Sequence, residues 1–147
     1  MAASTKTPWH LWLVGGLSLL WNGFGGFDFI MTTTQGETYM RSAGMTQPMI
    51  DYFMAMPTWM YGPWILGVWG AVAGSILLLM RSRWAVTAFA LSVVGAVVSL
   101  IYQKFINPMP PLPEGMQAMG YMSYVIVVIA VFLAWYAWTM RKAGVLR

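Results

Sequence analysis

Apolar residues gather in four long blocks, about Trp9–Ile30, Trp59–Met80, Trp84–Tyr102 and Tyr121–Met140, and charged residues stand almost entirely at their ends or between them. Each block holds roughly 20 residues, which at about 1.5 Å of rise per residue is enough to cross a hydrocarbon layer of about 30 Å. None shows the strict alternation of a barrel strand. In lipid every backbone N–H and C=O must be paired within its own segment, so the blocks predict helices. The expectation is an all-α, four-transmembrane-helix bundle forming a single membrane domain over residues 1–147. The turn Arg81-Ser82-Arg83 is too short for anything but an antiparallel hairpin of the second and third spans. The first block continues past the length of a secretory leader and lacks a small-x-small cleavage site, so it reads as a retained anchor.

The connections differ in kind. The segment of about Thr32–Thr58 predicts a short amphipathic helix in the first outer loop. Thr46 or Gln47 would cap it, Pro48 would sit in its first turn, and Met49, Ile50, Phe53 and Met54 would share one face. It is expected to lie on the membrane surface or to cover the end of the bundle. The segment Asn107–Pro113 holds four prolines and predicts an extended, stiff connection.

Composition strengthens the membrane reading. The chain is 59% hydrophobic and 8% charged, whereas a soluble domain carries roughly 25% charged residues to cover its surface. The net charge of +4 lies at the ends of the apolar blocks, which argues for topology signals and lipid head groups rather than nucleic acid. With both termini cytoplasmic, the inner segments hold six basic residues, Lys6, Arg81, Arg83, Arg141, Lys142 and Arg147, and the outer ones two, Arg41 and Lys104. The four acids, Asp28, Glu37, Asp51 and Glu114, fall at or beyond the outer ends. Trp9, Trp12, Trp84, Trp135, Tyr136 and Trp138 form one aromatic belt; Trp59, Tyr61, Trp64, Tyr102, Tyr121 and Tyr124 form the other. The absence of cysteine excludes disulfides, thiolate metal sites and cysteine nucleophiles.

Three constellations carry candidate chemistry. Small residues recur at helical spacing in the second and third spans, Gly67, Gly70 and Gly74 in the one and Ser92, Gly95 and Ser99 in the other; such stripes allow close backbone approach and gain dispersion contacts. This is a helix-packing signal, within the monomer or toward a partner. In the first span, Asn22 and Asp28 flank three glycines, Gly23, Gly25 and Gly26. Those glycines are expected to loosen the helix, making Asn22, Asp28 and exposed carbonyls a candidate polar site. The structural alternative is an interhelical hydrogen bond at Asn22 and an interfacial Asp28 that caps or pairs with Arg41 or Lys104. Third, 11 of the 14 methionines fall on the outer half, including Met116, Met119 and Met122. Thioethers suit Cu(I), but Met is also an adaptable apolar filler. The single histidine, His10, sits beside Trp9 and Trp12 as an amphipathic interfacial residue, at a depth where an imidazole could also ligate a pigment or haem. No catalytic triad, phosphate-binding loop or paired carboxylates are present, so enzyme activity is not expected. No metal site is assigned.

The stretches Thr7-Pro-Trp-His-Leu-Trp12, Trp21-Asn22 followed by Asp28, Gly67-Val-Trp-Gly70 leading to Leu77-Leu-Leu-Met-Arg81, Trp84-Ala-Val-Thr-Ala-Phe89 and Ala143-Gly-Val-Leu-Arg147 resemble a group of small, uncharacterised bacterial inner-membrane proteins. The resemblance covers most of the chain and implies the four-helix plan. Some members carry the label of sugar transporter, which would imply a polar sugar site between helices. Few polar groups and an exterior rich in Trp and Met point first to a non-catalytic accessory subunit of a larger inner-membrane assembly, respiratory or photosynthetic. Its expected partners are the lipid bilayer and other membrane subunits or a second copy, with bound lipid and no nucleic acid. A small solute transporter acting as an oligomer is the alternative, and Met-based copper handling the third reading.

Overall fold

The computed structural model describes residues 7–108 and 118–147. It is an all-α bundle with four helices long and apolar enough to cross a membrane. The elements are α1 (Trp9–Gln35), α2 (Glu37–Ser42), α3 (Gln47–Met54), α4 (Tyr61–Leu79), α5 (Trp84–Ile101) and α6 (Ala118–Lys142). A 3-10 turn, Thr58–Met60, leads into α4, and a π-helical turn, Tyr102–Ile106, extends α5. The spans are α1, α4, α5 and α6. Only 22–28% of the residues in each apolar window are buried inside the protein. The remaining apolar surface must be covered by lipid or by partner helices.

α1 lies against α4, α4 against α5, and α5 against α6. α1 and α6 meet at one end, where His10 hydrogen-bonds Tyr136. A core of Leu11, Leu78, Phe89, Leu133 and Tyr136 fills that end, joined by Val145 and Leu146 from the tail. Arg81, Arg83, Arg141, Lys142 and Arg147 gather there, because Arg147 pairs by backbone hydrogen bonds with both Arg81 and Arg83. Both described chain ends therefore lie at one basic end of the bundle. Asp28, Glu37 and Asp51 lie at the other, tied to residues of α2 and α3.

Helix ends follow local chemistry. α6 closes in a Schellman motif: Gly144, at φ 80°, donates to Arg141 O, and Val145 donates to Met140 O. This turn redirects the chain so that Val145 and Leu146 enter the core. α4 ends the same way, with Arg81 donating to Leu78 O and Ser82 to Leu77 O. Here Arg81, at φ 58°, takes the left-handed position that glycine usually fills. That conformation costs a side-chain-bearing residue about 1 kcal/mol.

α1 runs to Gln35, five residues beyond the Ile30 expected from hydropathy. Thr33 and Thr34 bond back to Phe29 and Ile30 carbonyls, so the polar threonines continue the helix instead of breaking it. α2 was not foreseen. The expected helix in the first outer loop is α3, with Thr46 at its N-cap position, Pro48 in its first turn and no side-chain capping bond. It covers the end of the bundle, and its buried residues are Met49, Ile50 and Tyr52. Met54, expected to share a face with Met49, Ile50 and Phe53, is exposed while Met49 and Ile50 are buried. Tyr52 is buried in its place, its hydroxyl donating to Asn107 O at 2.7 Å. Of the proline-rich connection, Met109–Pro113 lie outside the described residues.

Candidate functional site

The polar residues foreseen in α1 do not converge. Asn22 is buried against α4, where both amide hydrogens are used: Nδ2 donates to Ser75 Oγ at 2.9 Å and to Ala71 O at 3.2 Å. Ser75 in turn donates to Ala71 O at 2.9 Å. Asp28 stands six residues further along, about 9 Å of rise and some 240° around the helix, so the two do not share a face. Its Oδ1 accepts from the Tyr39 hydroxyl at 2.7 Å. Among the expected partners, Arg41 is engaged elsewhere, bonded to Glu37 and Gln47, and Gln47 continues the chain to Asp51 at 2.8 Å. Lys104 lies over the Tyr124 ring, 5.1 Å from its centroid. Tyr39 loses its proton less readily than an ordinary tyrosine, first because its hydroxyl bonds the Asp28 carboxylate, then through burial and that carboxylate's charge.

Nor do the glycines open α1. The helix is continuous through Gly23, Gly25 and Gly26, because an unpaired carbonyl in lipid costs more than glycine's lost entropy. Gly26 is instead a packing surface: a Cβ there would lie 3.2 Å from the Trp69 ring. Gly15 serves likewise, its place for a Cβ being 2.5 Å from Leu79 Cδ2. Gly15, Asn22 and Gly26 thus form one seam against Leu79, Ser75 and Trp69 in antiparallel register.

The α4–α5 contact is closer still. A Cβ on Gly95 would meet Pro63 O at 2.4 Å and Gly67 N at 2.5 Å. One on Gly67 would meet Ala96 N at 3.3 Å, one on Gly70 would meet Ala88 O at 3.2 Å, and one on Gly74 would meet the Phe89 ring at 2.7 Å. Ser92 donates to Gly67 O at 2.7 Å across the same contact. Four of the six small residues, Gly67, Gly70, Ser92 and Gly95, therefore lie where two backbones touch, Gly74 makes room for the Phe89 ring, and Ser99 is half-buried further along α5.

At the acidic end, Tyr52, Met60 and Tyr102 form a separate apolar cluster with Phe53 and Met56. Asn107 accepts from Tyr52 through its carbonyl and donates to Tyr102 Oη at 3.1 Å. Burial, and secondarily the neighbouring Tyr102, push the Tyr52 hydroxyl up to about 12. Met40, Met49 and Met60 are buried as apolar filler in this cap. Of the Met116, Met119 and Met122 series, the first lies outside the described residues, the side chain of Met119 is likewise not described, and Met122 is exposed. No group of three His, Asp or Glu side chains close enough to hold a metal occurs among the described residues.

His10 is not solitary. Its Nδ1 bonds the Tyr136 hydroxyl, and the two rings meet edge to face at 5.6 Å. Sequence reasoning had no means of pairing them, since they are 126 positions apart. The tail residues Val145 and Leu146 were missed too, although Gly144 after a basic last turn is a helix-stop signal that could have pointed to them. Comparison of the chain with known protein families, with curated proteins and with solved structures finds no match.

Proposed function

We propose that this chain is a non-catalytic accessory subunit of a larger assembly in the bacterial inner membrane, with both termini cytoplasmic. The observation that carries this reading is the closure of its polar interior. Among the described residues, no buried side-chain nitrogen or oxygen lacks a hydrogen-bond partner. Of the four buried polar side chains, Asn22, Ser75 and Ser92 are spent on joining helices, and Ser18 donates to Gly15 O of its own helix. A sugar carrier needs several polar groups free to replace the water of its solute, and these are not free. The outward faces are correspondingly apolar and aromatic, with Trp21, Phe24 and Phe27 on α1 and Phe132 and Trp135 on α6 exposed. Rigid rings of this kind suit lasting contact with partner helices.

The test is purification of the full chain from its native membrane in mild detergent after brief crosslinking. The reading expects one or more other integral membrane proteins in fixed stoichiometry. Recovery of the chain alone, or only with itself, overturns it. Uptake of sugars by vesicles containing only this chain would favour the carrier instead.

A further inference from the structure

We infer that the cleft between the α4–α5 turn and the chain's last residues binds the phosphate of an anionic membrane lipid. The cleft has a volume of about 290 Å³ and is lined by Met80, Arg81, Ser82 and Arg147. It is built rather than incidental. The tail is paired to the turn by Arg147 N to Arg81 O and Arg83 N to Arg147 O, both at 2.9 Å. Arg81 Nε donates to Val145 O at 3.3 Å, which orients its guanidinium beside the tail.

Three features suit a lipid phosphate. First, arginine presents a planar fork of donors matched to phosphate oxygens, and two arginines line this one cleft. Ser82 Oγ already accepts from Trp84 N, so its own hydrogen is available to donate. Second, Arg81 occupies a left-handed position at which glycine would be relaxed; strain held in a charged residue marks a place where that side chain has a use. Third, the cleft lies at head-group depth. Arg83 stands over the Trp84 ring and Lys142 over the Trp138 ring nearby. Ile76 on α4 and Met80 at its C-cap, one turn apart, are both exposed and offer an apolar track for an acyl chain. That track favours a lipid over a free anion. The described acidic side chains all stand at the far end of the bundle.

The inference does not depend on the accessory reading. To test it, the full chain in mild detergent is titrated with phosphatidylglycerol, phosphatidylcholine or inorganic phosphate, and retention is read by native mass spectrometry. One phosphatidylglycerol should be held in preference to phosphatidylcholine. Arg147→Gln leaves the backbone pairing intact and should weaken that retention about tenfold, the scale of a lost charge-assisted bond. Arg81→Gly should weaken it similarly while thermal stability holds or rises. Arg83→Gln removes the same charge beside the cleft and should change little. Equal loss in Arg83→Gln would reduce the effect to diffuse charge, and equal retention of phosphatidylcholine would remove the phosphate specificity. Competition by inorganic phosphate at the lipid's own concentration would make the ligand a soluble anion. Each of these three results overturns the inference.

Discussion

Asn22 of α1 and Ser75 of α4 are joined by a 2.9 Å hydrogen bond within the apolar span, and the same amide reaches the Ala71 carbonyl. The pair sits in a seam whose other contacts, Gly15 on Leu79 and Gly26 on Trp69, are purely steric. The polar bond therefore fixes the register of two surfaces that dispersion alone would hold less specifically.

A double-mutant cycle measures that bond. Asn22→Leu and Ser75→Ala should each be mildly destabilising, with a coupling of about 0.6 kcal/mol, typical of polar contacts between membrane helices. Reversible unfolding in mixed micelles supplies the four free energies. Strictly additive losses would mean that the two side chains do not interact.

Glycines in this chain should divide sharply by position. Gly95→Ala forces a methyl group into the Pro63 carbonyl and the Gly67 amide, both backbone. Neither can rotate away, so the cost should reach about 3 kcal/mol, the upper range for overpacking. Gly23→Ala meets nothing within 4 Å and should stay within about 0.5 kcal/mol of the parent. The same unfolding assay ranks them. Comparable losses at both sites would contradict the close α4–α5 approach.

The cap at the acidic end should loosen in alkali. Tyr52 is raised from an ordinary value of 10.0 to about 12, mainly by burial and then by Tyr102. A raised folded value means that the neutral hydroxyl is favoured by folding, so its stabilisation is complete below pH 10 and is lost as pH rises toward 12. Tyr52→Phe removes the bond to Asn107 O, should cost about 1 kcal/mol at neutral pH, and should abolish most of that alkaline loss. Stability followed against pH, with an ultraviolet tyrosinate titration, checks both. An unchanged alkaline loss in Tyr52→Phe would place its origin elsewhere.

The four spans were legible because lipid imposes a length and a composition on anything that crosses it. Small residues at Gly67, Gly70, Gly74, Ser92 and Gly95 were legible for a related reason, since in lipid close approach replaces hydrophobic burial as the source of association. What escaped reading depended on partners. Asn22 was open to two readings because its acceptors are a backbone carbonyl, which every helix offers, and one serine among several. Asp28 was matched to the wrong groups because charge was weighed ahead of proximity, and α2 brings Tyr39 to it instead. That helix was itself illegible: Glu37–Ser42 has too few apolar positions to show a period, and it starts at Gly36, whose φ of 54° turns the chain away from α1.

Orientation is the last matter open to direct test, and the sequence makes the test clean. The chain has no cysteine, so single substitutions report without background. Ser42→Cys lies exposed on α2 at the acidic end, and Ala143→Cys lies exposed beyond α6 at the basic end. In the bacterial inner membrane proposed for this chain, basic residues resist transfer to the outer side, and five of them are clustered around the α4–α5 turn and the tail. A membrane-impermeant thiol reagent applied to spheroplasts should therefore label Ser42→Cys at once, and Ala143→Cys only after permeabilisation. The reverse pattern would invert the molecule. It would also place the arginine-lined cleft on the leaflet where anionic lipid is scarcer, so this labelling bears on the lipid proposal as well as on topology.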